Sequence, residues 1–308
     1  MATPQSGILP DANQNTLFLL FRRRIGRRAS HKLKTLLAHL PERAAHLASE
    51  DPAAHFSAVV AFGPTIWNEL WEERPHLLHP FPRIAGAVHQ APSTDTDMLL
   101  HLRSERYDFL HEFADKLVKE LSEWLDLLEV VHGFRYQDGR DLTGFVDGTG
   151  NPEGDERAEV ALVGEEDPDW AGGSYVHVQR FVHRMDEWNK LPVKQQEAII
   201  GRSKHANIEM DKDDRPLTSH MHRVNIENGS GKELKLLRHS MPYGIPGGER
   251  GLYFCSYCRD PAIFEKMLSR MVAPIHDGRV DHLLNFTRAV SGAAFFAPSV
   301  EKLQSLDH

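Results

Sequence analysis

The chain has 308 residues, 41% apolar and 26% charged, with 36 Lys and Arg against 44 Asp and Glu for a formal charge of −8. That acidic balance argues against nucleic acid as the main partner, because phosphate binding relies on clustered cations, and without a run of about 18 apolar residues no membrane span is expected. The length suits two domains, and the absence of a signal peptide suggests the cytoplasm.

Residues 17–21, LFLLF, are an apolar run of strand length. The basic stretch FRRRIGRRASHKLK, residues 21–34, is expected to be a solvated surface, because no apolar segment follows to make it an export signal. Leu33, Leu36, Leu37 and Leu40 then step at helical spacing, and HFSAVVAFG, residues 55–63, is a second strand ending at glycine. After a Pro-rich connection, MLLHLRS forms a further strand. Leu110, Phe113, Leu117, Leu121, Trp124 and Leu128 predict one long amphipathic helix, and EVVHGFRYQ a strand. Two successive β-α-β units point to a ferredoxin-like α+β sheet with helices on one face.

DGRDLTGFVDGTGNPEG, residues 138–154, marks the boundary, and the second half repeats the rhythm without repeating residues. GGSYVHVQRFVHR reads as a strand, MDEWNKLPVKQQEAIIGR as a helix, RGLYFCSYC as a strand and PAIFEKMLSRM as a helix. VNIENGSGKELKLL predicts a β-hairpin turning at Asn228-Gly229, which would bring His220 and Arg238 near one end. Cys255 and Cys258 are the only cysteines; on a strand, positions three apart face opposite ways, so buried structural thiols are expected in place of a redox or zinc pair. Trp188, Tyr243, Tyr253 and Tyr257 are expected in the core or an interface.

Few polar residues stand out locally. His220 and His222, in TSHMHRV, would share one strand face, and local pattern does not choose between them. Arg238 follows an apolar run, so it is either paired structurally or aimed at an anion, since an unpaired buried guanidinium is costly. Asp147 sits in GFVDGTGNPEG, with four glycines in eleven positions. Those glycines let the main chain approach a flat ligand, but the same pattern also makes an ordinary Asp-Gly turn.

Taken in order, GFVDGTGNPEG, GGSYVHVQR, IIGRSK, TSHMHRV, LLRHSMPYG, GLYFCSYC and DHLLNFTRAVSGAAFFAPS resemble the dye-decolorizing peroxidase family, close to its bacterial cytoplasmic B-type members. The likeness runs from QSGIL to FFAPS. It implies an α+β fold of two ferredoxin-like domains, with antiparallel sheets and helices on the outer faces. These are an N-terminal domain over residues 1–140 and a haem-binding domain over 141–308. By the resemblance, His220 is the proximal ligand of haem b, Asp281 the carboxylate behind it, and Arg202 a neighbour of the propionates. Asp147 and Arg238 are then the distal acid-base group and cation, with Ser240 beside them.

The implied activity is a haem peroxidase that reduces hydrogen peroxide and oxidises dyes or small aromatic donors by one-electron steps through a ferryl intermediate. The residue types suit it. A carboxylate raises imidazole basicity, an ionised Asp moves a proton, and a permanently charged Arg stabilises a leaving hydroxide. A haem carrier with the same ligand is the rival reading, and a cofactor-free structural protein the third. Gly150 departs from the family's usual DGTEN, removing a carboxylate at the pocket rim. A homo-oligomer is expected; loading into a protein shell is not, because the chain ends in SVEKLQSLDH without a long Gly-rich tail.

Overall fold

The computed structural model describes residues 2–274 and 278–308. Its strands are β1 (Asn15–Arg23), β2 (Ser57–Phe62), β3 (Met98–Ser104), β4 (Leu125–Phe134), β5 (Ser174–His183), β6 (Leu237–Arg238), β7 (Met241–Gly244), β8 (Arg250–Cys258) and β9 (Thr287–Ala297). Around them lie α1 (His31–Ala38), α2 (Leu40–Glu50), α3 (Pro64–Leu70), α4 (Tyr107–Leu121), α5 (Glu156–Ala161), α6 (Met185–Trp188), α7 (Val193–Ile200), α8 (His220–Val224), α9 (Pro261–Val272) and α10 (Val300–Gln304). The fold mixes helices with antiparallel strands, as expected.

Among the described residues, all nine strands belong to one sheet, in the order β5-β9-β2-β3-β1-β4-β7-β8-β6, and a further β5–β8 ladder closes it into a barrel. β6 and β7 lie along the same edge of β8 as one strand interrupted at His239 and Ser240. The first four strands, β2-β3-β1-β4, meet the rest at only two rungs, Phe62 with Phe296 and Gly133 with Tyr243.

Strand alternation sorts the core. One set of side chains, including Phe18, Val59, Leu99, Val178, Tyr253 and Phe295, packs within the barrel. The other set, including Leu19, Phe62, Leu100 and Phe296, meets the helices. Cys255 falls in the first set and Cys258 in the second; both are free and buried. Trp188, Tyr243, Tyr253 and Tyr257 are buried as expected, while the basic stretch is surface, with Ile25 fully exposed.

Four local expectations need correction. The helix over Leu110–Leu128 stops at Leu121, because the chain turns at Ser122 and β4 begins pairing with β1 at Leu125; Leu128 therefore lies on a strand. MDEWNKLPVKQQEAIIGR forms α6 and α7 rather than one helix, split where Pro192 disfavours helical geometry in the residue before it. His220 and His222 lie on helix α8, not on a strand: Ser219 caps it, its Oγ accepting from the His222 amide at 3.3 Å. About 200° of helical turn then separates the two rings. The hairpin shrinks to a turn over residues 227–233, held by one Glu227–Glu233 bridge.

Candidate active site

The segment between the halves returns on itself at Asp147. Gly148 takes a left-handed φ of 78°, and its amide donates to Asp147 Oδ1 at 2.8 Å. The Asn151 amide donates to the Gly148 carbonyl at 2.9 Å, closing the turn. At the end of β6, Arg238 places Nη1 3.9 Å from Asp147 Oδ1. Both side chains are about one-quarter exposed. Ser240 follows on the same side of the interrupted strand, its Oγ accepting from the Cys255 amide at 3.3 Å. His239, between them, turns into the barrel, where it is 6% exposed.

His220 opens α8. Its Nδ1 lies 2.7 Å from Oδ2 of Asp281, which is fully buried. Asp281 Oδ1 accepts from the Leu283 amide at 2.9 Å, so the carboxylate is fixed by a turn of its own. A carboxylate only accepts, so Nδ1 donates to it, and in the neutral imidazole Nε2 is then the nitrogen with a lone pair for a ligand.

A cavity of about 760 Å³ is lined by Asp147, Arg202, His220, Arg238 and Ser240 together. Phe181, Leu252, Phe254 and Met271 supply apolar wall. Arg202 is buried, donating to the Asn207 carbonyl at 2.6 Å and lying 3.4 Å from Glu209. Of the six residues that the resemblance assigns to the site, five therefore share this cavity and Asp281 stands behind one of them. His222 borders the same space, but the Asp281 carboxylate pairs with His220.

Sequence reasoning missed Asp141, His183, Arg215 and Asn151, all lining the cavity. His183 ends β5 and its Nε2 meets both Asp141 oxygens at 3.1 Å. Burial would raise the Asp141 carboxyl, but His183 and Thr143 hold it below its ordinary value. DGRD and FVHR offered no local sign of this pair, because their contact spans 42 positions. A second cavity of about 890 Å³ shares Asp147, Gly148, Asn151, Arg238 and Ser240 as its wall. At Gly150, an added Cβ would stand 3.9 Å from Arg238 Nη2, so the missing side chain borders the guanidinium.

The model for the Dyp-type peroxidase N-terminal part matches residues 5–135, and that for the C-terminal part matches 138–302. A dye-decolorizing peroxidase from Rhodococcus erythropolis is 40% identical, over 98% of this chain and 88% of that protein. A DypB variant from Rhodococcus jostii, solved in complex with haem, superposes with a TM-score of 0.93 at 38% identity and covers 99% of both chains. The encapsulated DyP-type peroxidase from Mycobacterium smegmatis superposes with a TM-score of 0.94 at 40% identity, over 99% of this chain and 98% of that one. This last likeness overturns the expectation that shell loading is without support. That neighbour, of the same fold, is itself an encapsulated protein. Among the described residues no helix is long and apolar enough to cross a membrane.

Proposed function

The chain belongs to the Dyp-type, or dye-decolorizing, peroxidase family, and from that premise we propose a haem b enzyme that reduces hydrogen peroxide and oxidises dyes or small phenolic donors in one-electron steps. A peroxidase acting on hydrogen peroxide and dyes follows from the family itself. One observation carries the finer reading. A single cavity holds an imidazole backed by a buried carboxylate together with an Asp–Arg pair 3.9 Å apart.

The residues suit haem. His220 Nε2 would hold the iron, the apolar wall would take the macrocycle, and Arg202 and Arg215 would provide cations for its acidic groups. Haem iron, when bound, supplies the electrons that cleave the peroxide bond and the oxidising power then spent on the donor. Asp281 keeps the His220 Nδ1 proton and so makes the ligand more basic. Asp147 would take a proton from one peroxide oxygen and deliver it to the other, directly or through water. The Arg238 guanidinium would offset the negative charge that builds on the departing oxygen before it leaves as water. Ser240 offers a hydroxyl beside them for orienting peroxide or water.

We read residues 1–140 and 141–308 as two ferredoxin-like units, the second holding the haem. The order β2-β3-β1-β4, the two single-rung seams and the change of family model between residues 135 and 138 support that division. The free thiols of β8 support a reducing, cytoplasmic setting.

The test is an absorption spectrum before and after one equivalent of peroxide, with dye oxidation followed in parallel. Wild type should show a Soret band and peroxide-dependent turnover. Arg238→Leu should keep haem and lose about 100- to 1,000-fold in the peroxide step. A haem-loaded wild type without such turnover refutes the proposal and favours a haem carrier, and an Arg238→Leu variant as fast as wild type removes Arg238 from the peroxide step.

A further inference from the structure

β6 pairs with β8 along one edge only. At Arg238 the other edge has no strand partner, and its backbone groups would need water or a side chain. Asn151 meets both. Its Oδ1 accepts from the Arg238 amide at 3.0 Å, and its Nδ2 donates to the Arg238 carbonyl at 2.8 Å. A primary amide thus stands in for a rung of sheet, reaching across 87 positions of sequence.

The same turn carries Asp147. From Asp147 to Asn151 the backbone is closed by the Gly148–Asn151 hydrogen bond, and Asp147 is tied to it through the Gly148 amide. One end of this turn therefore orients the carboxylate, and the other grips the backbone of the arginine whose guanidinium lies 3.9 Å away. We infer that Asn151 is a positioning residue for Arg238: its carboxamide locks the β6 end to the Asp147 turn and so sets the distance between acid and cation. This rests on the reading of Asp147 and Arg238 as the peroxide-activating pair. Asn151 acts through Arg238; other side chains at 151 either lack one of the two hydrogen-bonding groups or hold them at a different reach.

Hydrogen exchange and rapid mixing on the full chain, with and without haem, test this. Losing the Asn151 acceptor should speed exchange of the Arg238 amide about tenfold in Asn151→Ala, while the His239 amide, bonded to the Cys255 carbonyl, stays protected. The same variant should retain haem and its KM for the reducing donor, and slow the peroxide step about tenfold. Asn151→Asp, which still accepts from the amide but cannot donate to the carbonyl, should retain most of that protection and fall between the two in rate. It also serves if the alanine variant does not fold. Unchanged Arg238 exchange in Asn151→Ala, or an unchanged peroxide rate where Arg238→Leu is slow, overturns the inference. If Arg238→Leu is itself as fast as wild type, the reading of the pair fails instead, while amide exchange still decides whether Asn151 holds the strand.

Discussion

Three histidines are enclosed in the core: His101 and His177 are at most 1% exposed, and His239 is 6% exposed. His101 Nε2 and His177 Nδ1 have no hydrogen-bond partner, so protonation there would bury an uncompensated charge. Burial pushes all three below the ordinary imidazole value. Arg103 adds to this at His101 and His239, and His79 at His177, which is brought down to about 3. In the unfolded chain each would titrate near 6.5. Below that pH the unfolded state binds protons that the native state refuses, so stability falls with acid and rises with pH until the unfolded histidines are neutral.

At pH 5.5 each contributes a loss of about 1.4 kcal/mol relative to pH 7.5, and the three together about 4 kcal/mol. That is a large part of the typical 5–15 kcal/mol of a folded domain. Urea unfolding of the full chain at the two pH values should show this loss, and His177→Gln should reduce it by about one-third. His177 stacks on Phe264 with ring centroids 4.2 Å apart and does not itself line the site cavity. Burial holds Asp97 above the ordinary carboxyl range, which acts in the opposite sense, but it is common to both proteins and cancels in the comparison. Equal pH-dependent losses in wild type and His177→Gln would refute the reasoning.

Asp141 titrates in another window. Its depressed carboxyl contributes stability above about pH 4, and that contribution disappears as pH falls through its native value, which a thermal-unfolding series between pH 5 and 3 should resolve against Asp141→Asn. Asp281→Asn keeps the shape beside His220 but removes the charge, so haem retention should weaken about 10- to 100-fold, measured as transfer to an excess of a haem-binding acceptor. Both thiols are buried, with Cys255 pushed up to about 12 and Cys258 raised as well. A thiol reagent should find neither in the native chain and both in urea. At Gly251 a Cβ would run into the Phe181 carbonyl across the β5–β8 ladder, so Gly251→Ala should destabilise the chain by about 1–3 kcal/mol in urea titration.

Much of the fold was legible because local pattern and local structure coincide. The alternation in RGLYFCSYC sends Cys255 and Cys258 into different cores, and the stripe from Leu110 to Leu121 forms α4. Errors arose where a long-range partner or a proline outweighed periodicity. Pairing with Arg23 draws Leu125 into β4, Pro192 divides the helix after β5, and the Ser219 cap turns His220 and His222 into a helix.

The six candidate site residues were picked out through ordered motifs, since no single one was decisive by its neighbours. Composition, periodicity and those motifs determined an α+β chain of peroxidase type with Asp147, His220 and Arg238 as candidates. Only the tertiary structure decided that strands of both halves form one closed sheet, that His183 meets Asp141 across 42 positions, and that Asn151 completes the free edge beside Arg238. The physical reason is common to all three. Hydrogen bonds between distant segments depend on where the closed barrel brings the backbone, and neighbouring residues carry no record of that meeting.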